Sequence, residues 1–337
     1  MILVTGGSGF LGKALIRHFN ELFRRDRDSG TKMPEHAWKH YNYDLPNHSI
    51  IWPDPWNPMA GSLYQMSCRH NMIEADEHLN RGDLRDKISK CSIVIHAAAV
   101  ADLNESEKDA IKNRRINVEG TENVAKTCAE FEKPLIFIST CCAYGTTSPL
   151  KILGENSTPR PTESYAKSKL EAENLLMDMA GKTWKFWRRN GLKVRICRMG
   201  TMYGPGMREA LFNSIALRHC AEGKMIEVHG SGQQSRQYLY IDDAVSGIET
   251  IMSKGMDGEI YNITGIFPIS VTMTLAEAQG LTGKTLVVKC VDDRMGQIHD
   301  QNISISKAMS LGWHIYVSYR AGMKKSWEWL KAKHGYE

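Results

Sequence analysis

Ile2-Leu3-Val4-Thr5-Gly6-Gly7-Ser8-Gly9-Phe10-Leu11-Gly12 opens the chain as a short apolar run, a glycine turn and the first residues of a helical pattern. The pattern continues through Ala14, Leu15, His18, Phe19, Leu22 and Phe23 at three-to-four spacing. Strand, glycine turn and helix in that order form the context in which G-x-x-G-x-x-G holds a dinucleotide. Gly6 permits the tight turn, Gly9 lets a diphosphate approach the backbone, and Gly12 allows close packing of helix on strand. The helix N-terminus then faces the phosphates. A glycine-rich turn without a ligand is the competing reading, and the remainder of the chain has to decide.

Residues 24–46 are polar and histidine-rich, and read as an insertion or long surface loop. A second strand must come next, ending in an acid for the adenosine ribose. Asp44 and Asp54 are the candidates, and Asp54 is preferred because Ser49–Trp52 is the more apolar approach, although Pro53 is awkward in a ladder. An acid there selects NAD by repelling a 2'-phosphate. Residues 54–77 read as an irregular loop. Gly82-Asp83-Leu84-Arg85-Asp86 is expected after a short strand. Cys91–His96, Pro134–Ser139 and Leu192–Arg198 read as strands, and the first, a buried one, runs into Ala97-Ala98-Ala99, small enough for a cofactor to lie across the sheet edge. Helical stretches are expected over 104–131 and 162–190. This alternation predicts an α/β fold with a doubly wound parallel sheet over 1–200. A smaller, mainly substrate-binding lobe is expected over 201–337, with part of 201–265 returning to the first domain.

The chain has 337 residues, 42% hydrophobic and 24% charged, with a net charge of +5. That composition is ordinary for a globular protein. The mild positive charge suits an anionic small molecule better than nucleic acid, because it is gathered nowhere except Arg24–Asp28. No long apolar span suggests a membrane helix, and the start reads as a strand without a leader, so a cytoplasmic protein is expected. Eight cysteines without C-x-x-C spacing argue for reduced thiols and no metal site.

Tyr165-Ala166-Lys167-Ser168-Lys169 places a phenol and an ammonium four residues apart, on one face of a helix. A nearby cation favours phenolate, so Tyr165 could act as a base near neutral pH. Alone, Y-x-x-x-K fits any amphipathic helix. In company it is more telling: T-G-G-S-G-F-L-G (5–12), G-D-L-R-D (82–86), H-A-A-A (96–99), N-V-E-G-T (117–121) and S-T-C-C-A-Y-G (139–145) precede it. Y-G-P-G-M (203–207), G-S-G-Q-Q-S-R-Q-Y-L-Y-I-D-D (230–243), I-Y-N-I (260–263) and L-G-W (311–313) come after it. In order and spacing the chain resembles the extended short-chain dehydrogenase/reductase family, in its nucleotide-sugar epimerase/dehydratase branch, with a Rossmann-type fold.

The resemblance implies that Gly6, Gly9, Phe10 and Leu11 hold the diphosphate of NAD, that Asp83 and Leu84 meet adenine, and that Ala97, Ala98 and Ala99 line the cofactor. It places the second-strand acid at Asp54. Lys169 would bind the nicotinamide ribose, and Thr140, four residues before Tyr144, would be the catalytic hydroxyl beside Tyr165. Arg236 and Arg294 match arginines that grip the nucleotide diphosphate of the substrate, a task suited to charge-assisted, bidentate bonds. The family also implies a homodimer through the helices near 104–131 and that of Tyr165.

Two departures bear on the reaction. Where 4,6-dehydratases of the family carry Asp and Glu after the catalytic hydroxyl, this chain has Cys141 and Cys142, and decarboxylases tend to have Glu in the second of these places. Read as residue types, the two cysteines are buried packing groups. Thr201 stands where many epimerases have an Asn that bonds the substrate phosphate. Without a carboxyl pair, elimination lacks its acid and base, so the expectation is a nucleotide-sugar 4-epimerase acting through a transient 4-keto sugar. A reductase, decarboxylase or dehydratase on the same scaffold is the nearer alternative, and a non-catalytic NAD-sensing protein the more distant one.

Overall fold

The opening run becomes strand β1 (Ile2–Thr5), and the glycine turn delivers the chain into helix α1 (Phe10–Ser29). The structure is a computed structural model describing residues 2–29, 81–146, 151–181, 191–293 and 299–336. The expected second strand with Asp44 and Asp54, the 54–77 loop and Arg294 lie outside the described residues. Helix α1 corrects one expectation: it runs six residues into the segment read as a loop from residue 24. An apolar period reports burial and not helicity, and arginine, three times present in Arg24–Asp28, is a good helix former.

Gly82–Asp86 lies within a helix, α2 (Arg81–Lys90), whose Leu84 packs on the core. Strands β2 (Ile93–His96), β3 (Leu135–Thr140) and β4 (Val194–Met199) are buried along their whole length. With β9 (Glu259–Ile263) they form a five-stranded parallel sheet in the order β1-β2-β3-β4-β9. Complete burial requires cover on both faces, which explains the apolar runs of β2 and β3, whereas β4 carries the buried Arg195 and Arg198.

The expected 104–131 helix is divided. Asp102 caps α3 (Leu103–Lys108) by accepting the Glu105 N–H at 3.0 Å, and Asp109 caps α4 (Ala110–Arg114) by accepting that of Lys112 at 2.8 Å. A π-helical turn, Arg115–Glu119, then leads into α5 (Gly120–Glu130). Helix α6 (Ser164–Ala180) starts where Glu107 of α3 accepts the Ser164 N–H at 2.6 Å, an acid at the positive end of a helix. One sheet face carries Val94, Leu135, Phe137, Val194 and Ile196 against Ile88, Val124, Cys128, Ala172 and Leu176 from α2, α5 and α6.

Contacts divide the chain into two compact units: Met1–Thr140, Glu163–Cys197 and Ile248–Tyr261 in the first, and Cys141–Thr162, Arg198–Gly247 and Asn262–Glu337 in the second. In the first, Arg195 of β4 donates to the carbonyls of Ile251 at 3.2 Å and Met252 at 2.5 Å and pairs with Asp257, so it caps the last turn of the helix ending at Lys254.

In the second unit β5 (Thr201–Tyr203) runs parallel to β8 (Tyr238–Tyr240), β6 (Ile226–His229) parallel to β11 (Val288–Val291), and β7 (Ser235–Arg236) antiparallel to β10 (Ile269–Ser270). Helices α7 (Phe212–Glu222), α8 (Ile241–Lys254), α9 (Val271–Thr282), α10 (Ser306–Met309) and α11 (Tyr319–His334) complete the described elements. Trp313 is buried, and its ring N–H donates to the Asp243 carbonyl at 3.1 Å, while the Asp243 carboxylate accepts the N–H groups of Tyr316 and Val317. Among the described residues no helix is long and apolar enough to cross a membrane.

Trp313→Ala should lower stability by about 3–5 kcal/mol, and Trp313→Phe, which keeps much of the packing but loses the ring N–H bond, by clearly less. Urea unfolding monitored by circular dichroism measures both.

Candidate active site

The glycine turn has the geometry its spacing predicts. Gly6 has φ +74°, and a Cβ there would lie 2.6 Å from the Ala98 nitrogen, so only glycine lets the turn rest on the strand end of β2. A Cβ at Gly12 would lie 2.2 Å from the Gly6 carbonyl oxygen. Gly9 is exposed, and a Cβ there would meet only the Gly6 oxygen, at 3.3 Å. The turn is thus tight at its ends and open in its middle, with the N–H groups that open α1 beside it. Ala97, Ala98 and Ala99 are partly exposed, Phe10 likewise, and Leu11 is buried. This cradle fits a dinucleotide.

Beneath it runs a chain of hydrogen bonds that the sequence did not single out. The Thr121 hydroxyl donates to the Asn117 carbonyl at 2.7 Å, so it accepts the Nε2–H of His96 at 3.0 Å. His96 Nδ1 then accepts from the Thr5 hydroxyl at 2.6 Å, and Thr5 Oγ1 accepts the Ala98 N–H at 3.4 Å. The chain fixes the tautomer of His96 and joins the carboxyl ends of β1 and β2 to α5. Burial, and secondarily the charge of Lys169, lower the His96 pKa to about 3. It is a neutral, structural imidazole.

Asn117, in the π-helical turn, ties the cradle to the helix of Tyr165. Its side-chain oxygen accepts the Val100 N–H at 2.8 Å, and its amide donates to the Val100 carbonyl at 3.1 Å and to Ser168 Oγ at 3.0 Å. Ser168 stands between Tyr165 and Lys169, and its hydroxyl donates to the Tyr165 carbonyl at 2.8 Å. Tyr165 is half-buried in the first turn of α6. Lys169, one turn on, is 1% exposed, with Nζ 3.9 Å above the Phe137 ring. Burial lowers its pKa to about 7, against the opposing charge of Glu173. Thr140 ends β3, buried, one residue beyond Ser139, whose hydroxyl donates to Glu173 of α6. Thr140, Tyr165 and Lys169 therefore belong to one unit and to two elements joined by side-chain bonds.

Cys141 and Cys142 begin a 3-10 turn in the second unit. Cys141 is buried with Tyr144, Leu153 and Ile303, and its thiol donates to the Arg198 carbonyl at 3.2 Å; Cys142 is partly exposed. Thr201 pairs with Tyr238, two residues from Arg236, so both expected substrate residues share a strand neighbourhood in that unit. Arg236 is half-buried and donates to the Ser235 carbonyl at 2.8 Å. The side chain of Asp83, like Asp54 and Arg294, lies outside the described residues.

A family model, the NAD dependent epimerase/dehydratase family, matches residues 2–264. The chain belongs to that family. Its relatives in the family differ in reaction. A mouse dTDP-D-glucose 4,6-dehydratase is 29% identical, covering 98% of this chain and 88% of the relative. A UDP-N-acetyl-alpha-D-glucosaminuronate decarboxylase of Bacillus cytotoxicus is 23% identical, covering 98% and 97%. Among solved structures, the UDP-glucose 4-epimerase of Thermotoga maritima with UDP-glucose superposes with a TM-score of 0.73 at 24% identity, covering 98% and 99%, a likeness of fold. Membership makes the chain an enzyme-family protein of the NAD-dependent epimerase, dehydratase and decarboxylase group without choosing the reaction.

The residues that sequence reasoning missed are His96, Ser139 and Glu173. Two of them had a faint signal: a histidine closing an apolar strand, and an acid four residues after Lys169 on an otherwise apolar helix face.

Because the folded pKa of His96 lies below the unfolded value, the unfolded chain binds the extra proton between the two. Its contribution to stability is complete above about pH 6.5 and is lost as pH falls toward 3, at up to about 1.4 kcal/mol per unit. His96→Gln should lack this part of the slope in unfolding free energies measured from pH 7 to 4.

Proposed function

We propose that the protein is a nucleotide-sugar 4-epimerase that uses NAD. The observation that carries this reading is the pairing of Tyr165 and Lys169 with Thr140 in the absence of any carboxyl in the next turn, where Cys141 and Cys142 stand. NAD, held by the glycine turn, would supply the acceptor and then the donor of a hydride. The Tyr165 phenolate takes the proton of the sugar C4 hydroxyl, Thr140 hydrogen-bonds the same oxygen, and Lys169 stabilises the phenolate. On the return step Tyr165 would give the proton back to the C4 oxygen, so neither the base nor the sugar would show a net change of oxidation state. Arg236 and Thr201 are the proposed grip on the substrate diphosphate, which must stay bound while the sugar turns.

The dehydratase relatives favour one second reading, loss of water to a 4-keto-6-deoxy sugar. Incubation of the purified protein with UDP-, dTDP-, GDP- and CDP-sugars, without added cofactor, decides by product NMR: a C4 epimer supports the proposal, and a 4-keto-6-deoxy product replaces it. Tyr165→Phe should lower kcat by on the order of 10²–10⁴ while leaving nucleotide-sugar binding intact by calorimetry.

A homodimer through α3 to α6 is part of the same reading, and the exposure of Ile111 on α4 supports it. Ile111→Glu is expected to sediment as a monomer where the parent sediments as a dimer.

A further inference from the structure

Tyr165, Lys169 and Glu173 succeed one another at four-residue intervals down a single face of α6. The first is half-buried, while Lys169 and Glu173 are each 1% exposed. A carboxylate this deeply buried requires partners, and the Ser139 hydroxyl of β3 donates to it. Two residues earlier on the same strand, Phe137 presents its ring face to the Lys169 ammonium. Glu173 therefore does not belong to the surface ion pairs of this helix, such as Glu171 with Arg114 at 2.6 Å.

Resting on the function proposed above, we propose that Glu173, held in place by Ser139, is a positioning residue for the reaction: it is the counter-charge that keeps Lys169 cationic one turn from Tyr165. Among the described residues, Glu173 is the negative charge that acts on Lys169. From β2 comes His96, neutral, and from β3 the ring of Phe137, while Ser139 of β3 bonds Glu173 and the Asn117 amide of the π-helical turn bonds the neighbouring Ser168. On its own helix stand Tyr165 and Glu173, while Glu107 and the Arg114–Glu171 pair lie on the exposed side of the helix cluster. Burial draws the ammonium down to about 7, and Glu173 is the group that works against this. Without that carboxylate, Lys169 would be largely neutral at physiological pH, and a neutral amine gives a phenolate no charge stabilisation.

The test is to titrate Lys169 directly, by NMR of protein carrying 13C at the lysine ε-carbon, with the signal assigned by its loss in Lys169→Arg. The midpoint in the parent is expected near about 7. Glu173→Gln should move it down by about one unit or more, and Glu173→Asp should recover most of the shift. Should Glu173→Gln fail to fold, Ser139→Ala, which removes one hydrogen-bond partner of the carboxylate and leaves the carboxylate in place, is expected to move the midpoint in the same direction by less. An unchanged midpoint in whichever of these variants folds overturns the proposal.

Turnover supplies the second arm. In Glu173→Gln the alkaline loss of kcat should shift to lower pH by the same amount, with KM little changed; a pH profile superposing on that of the parent also overturns it. A residue that merely pins α6 to β3 would lower the melting temperature without moving either curve. The titration needs no substrate. If the parent turns over no nucleotide sugar, the proposed function fails while the coupling of Glu173 to Lys169 is still decided.

Discussion

Lys169 carries its ammonium into a place with almost no water, 3.9 Å above the Phe137 ring, and its neighbours are arranged around that charge. A buried amine tends to lose its proton because a medium of low polarity disfavours the ion. The ring face offsets part of this through its quadrupole, and the charge of Glu173 also opposes it. The same charge acts outward on His96, where it adds to burial in holding the imidazole neutral. A neutral His96 can donate through one nitrogen and accept through the other, which the chain from Ala98 to Asn117 requires. Protonation would turn the acceptor into a second donor and set it against the Thr5 hydroxyl. One ammonium thus helps to hold the protonation state on which the contact between the glycine turn and the end of β2 depends.

Positional accuracy comes from a different source. Four polar contacts of Asn117 span the loop after β2, the Asn113 side chain and Ser168 of α6, so the cradle and the helix of Tyr165 are referenced to one side chain. Asn117 sits in a π-helical turn, whose extra residue re-phases the helix locally, an irregularity often found at functional sites. Buried networks of this kind are worth having only when complete, since a half-satisfied amide in a core costs more than an apolar residue would.

The sheet and the glycine turn were legible in the sequence because their signals are local. Strands β2 and β3 are covered on both faces and therefore read as apolar runs, and Gly6 and Gly12 occupy places where any Cβ would collide with backbone. The continuation of α1 to Ser29 and the division of the 104–131 helix were not legible. The first is a helix whose apolar period has ended, and the second turns on the caps Asp102 and Asp109, which look like any surface acids until their N–H partners are known. At the site, the spacing of Tyr165 and Lys169 placed them on one helix face, and the family resemblance pointed to Thr140 beside them. His96, Ser139 and Glu173 could not be picked out, because each acts through a partner 25 to 91 residues away in the chain.

The choice of reaction rests on the residues just after Thr140. A thiol behaves as a small hydrophobe with a weak donor, and Cys141 is used in that way, packed on Tyr144, Leu153 and Ile303 and bonded to a backbone carbonyl. A carboxylate in its place would have to find charged or donor partners inside that cluster or accept a proton. The surroundings of Cys141 are accordingly those of a packing residue. Oxidation at C4 makes smaller demands: one base for one hydroxyl proton, a second hydroxyl to orient the same oxygen, and a cation to keep the base ionised. In the proposed reaction Tyr165, Thr140 and Lys169, which belong to one unit of the fold, would meet those demands, and reversing the same three roles would complete an epimerisation. Elimination would need a further acid and base, and the turn at 141–144, made of two cysteines, an alanine and a buried tyrosine, contains no carboxyl to provide them.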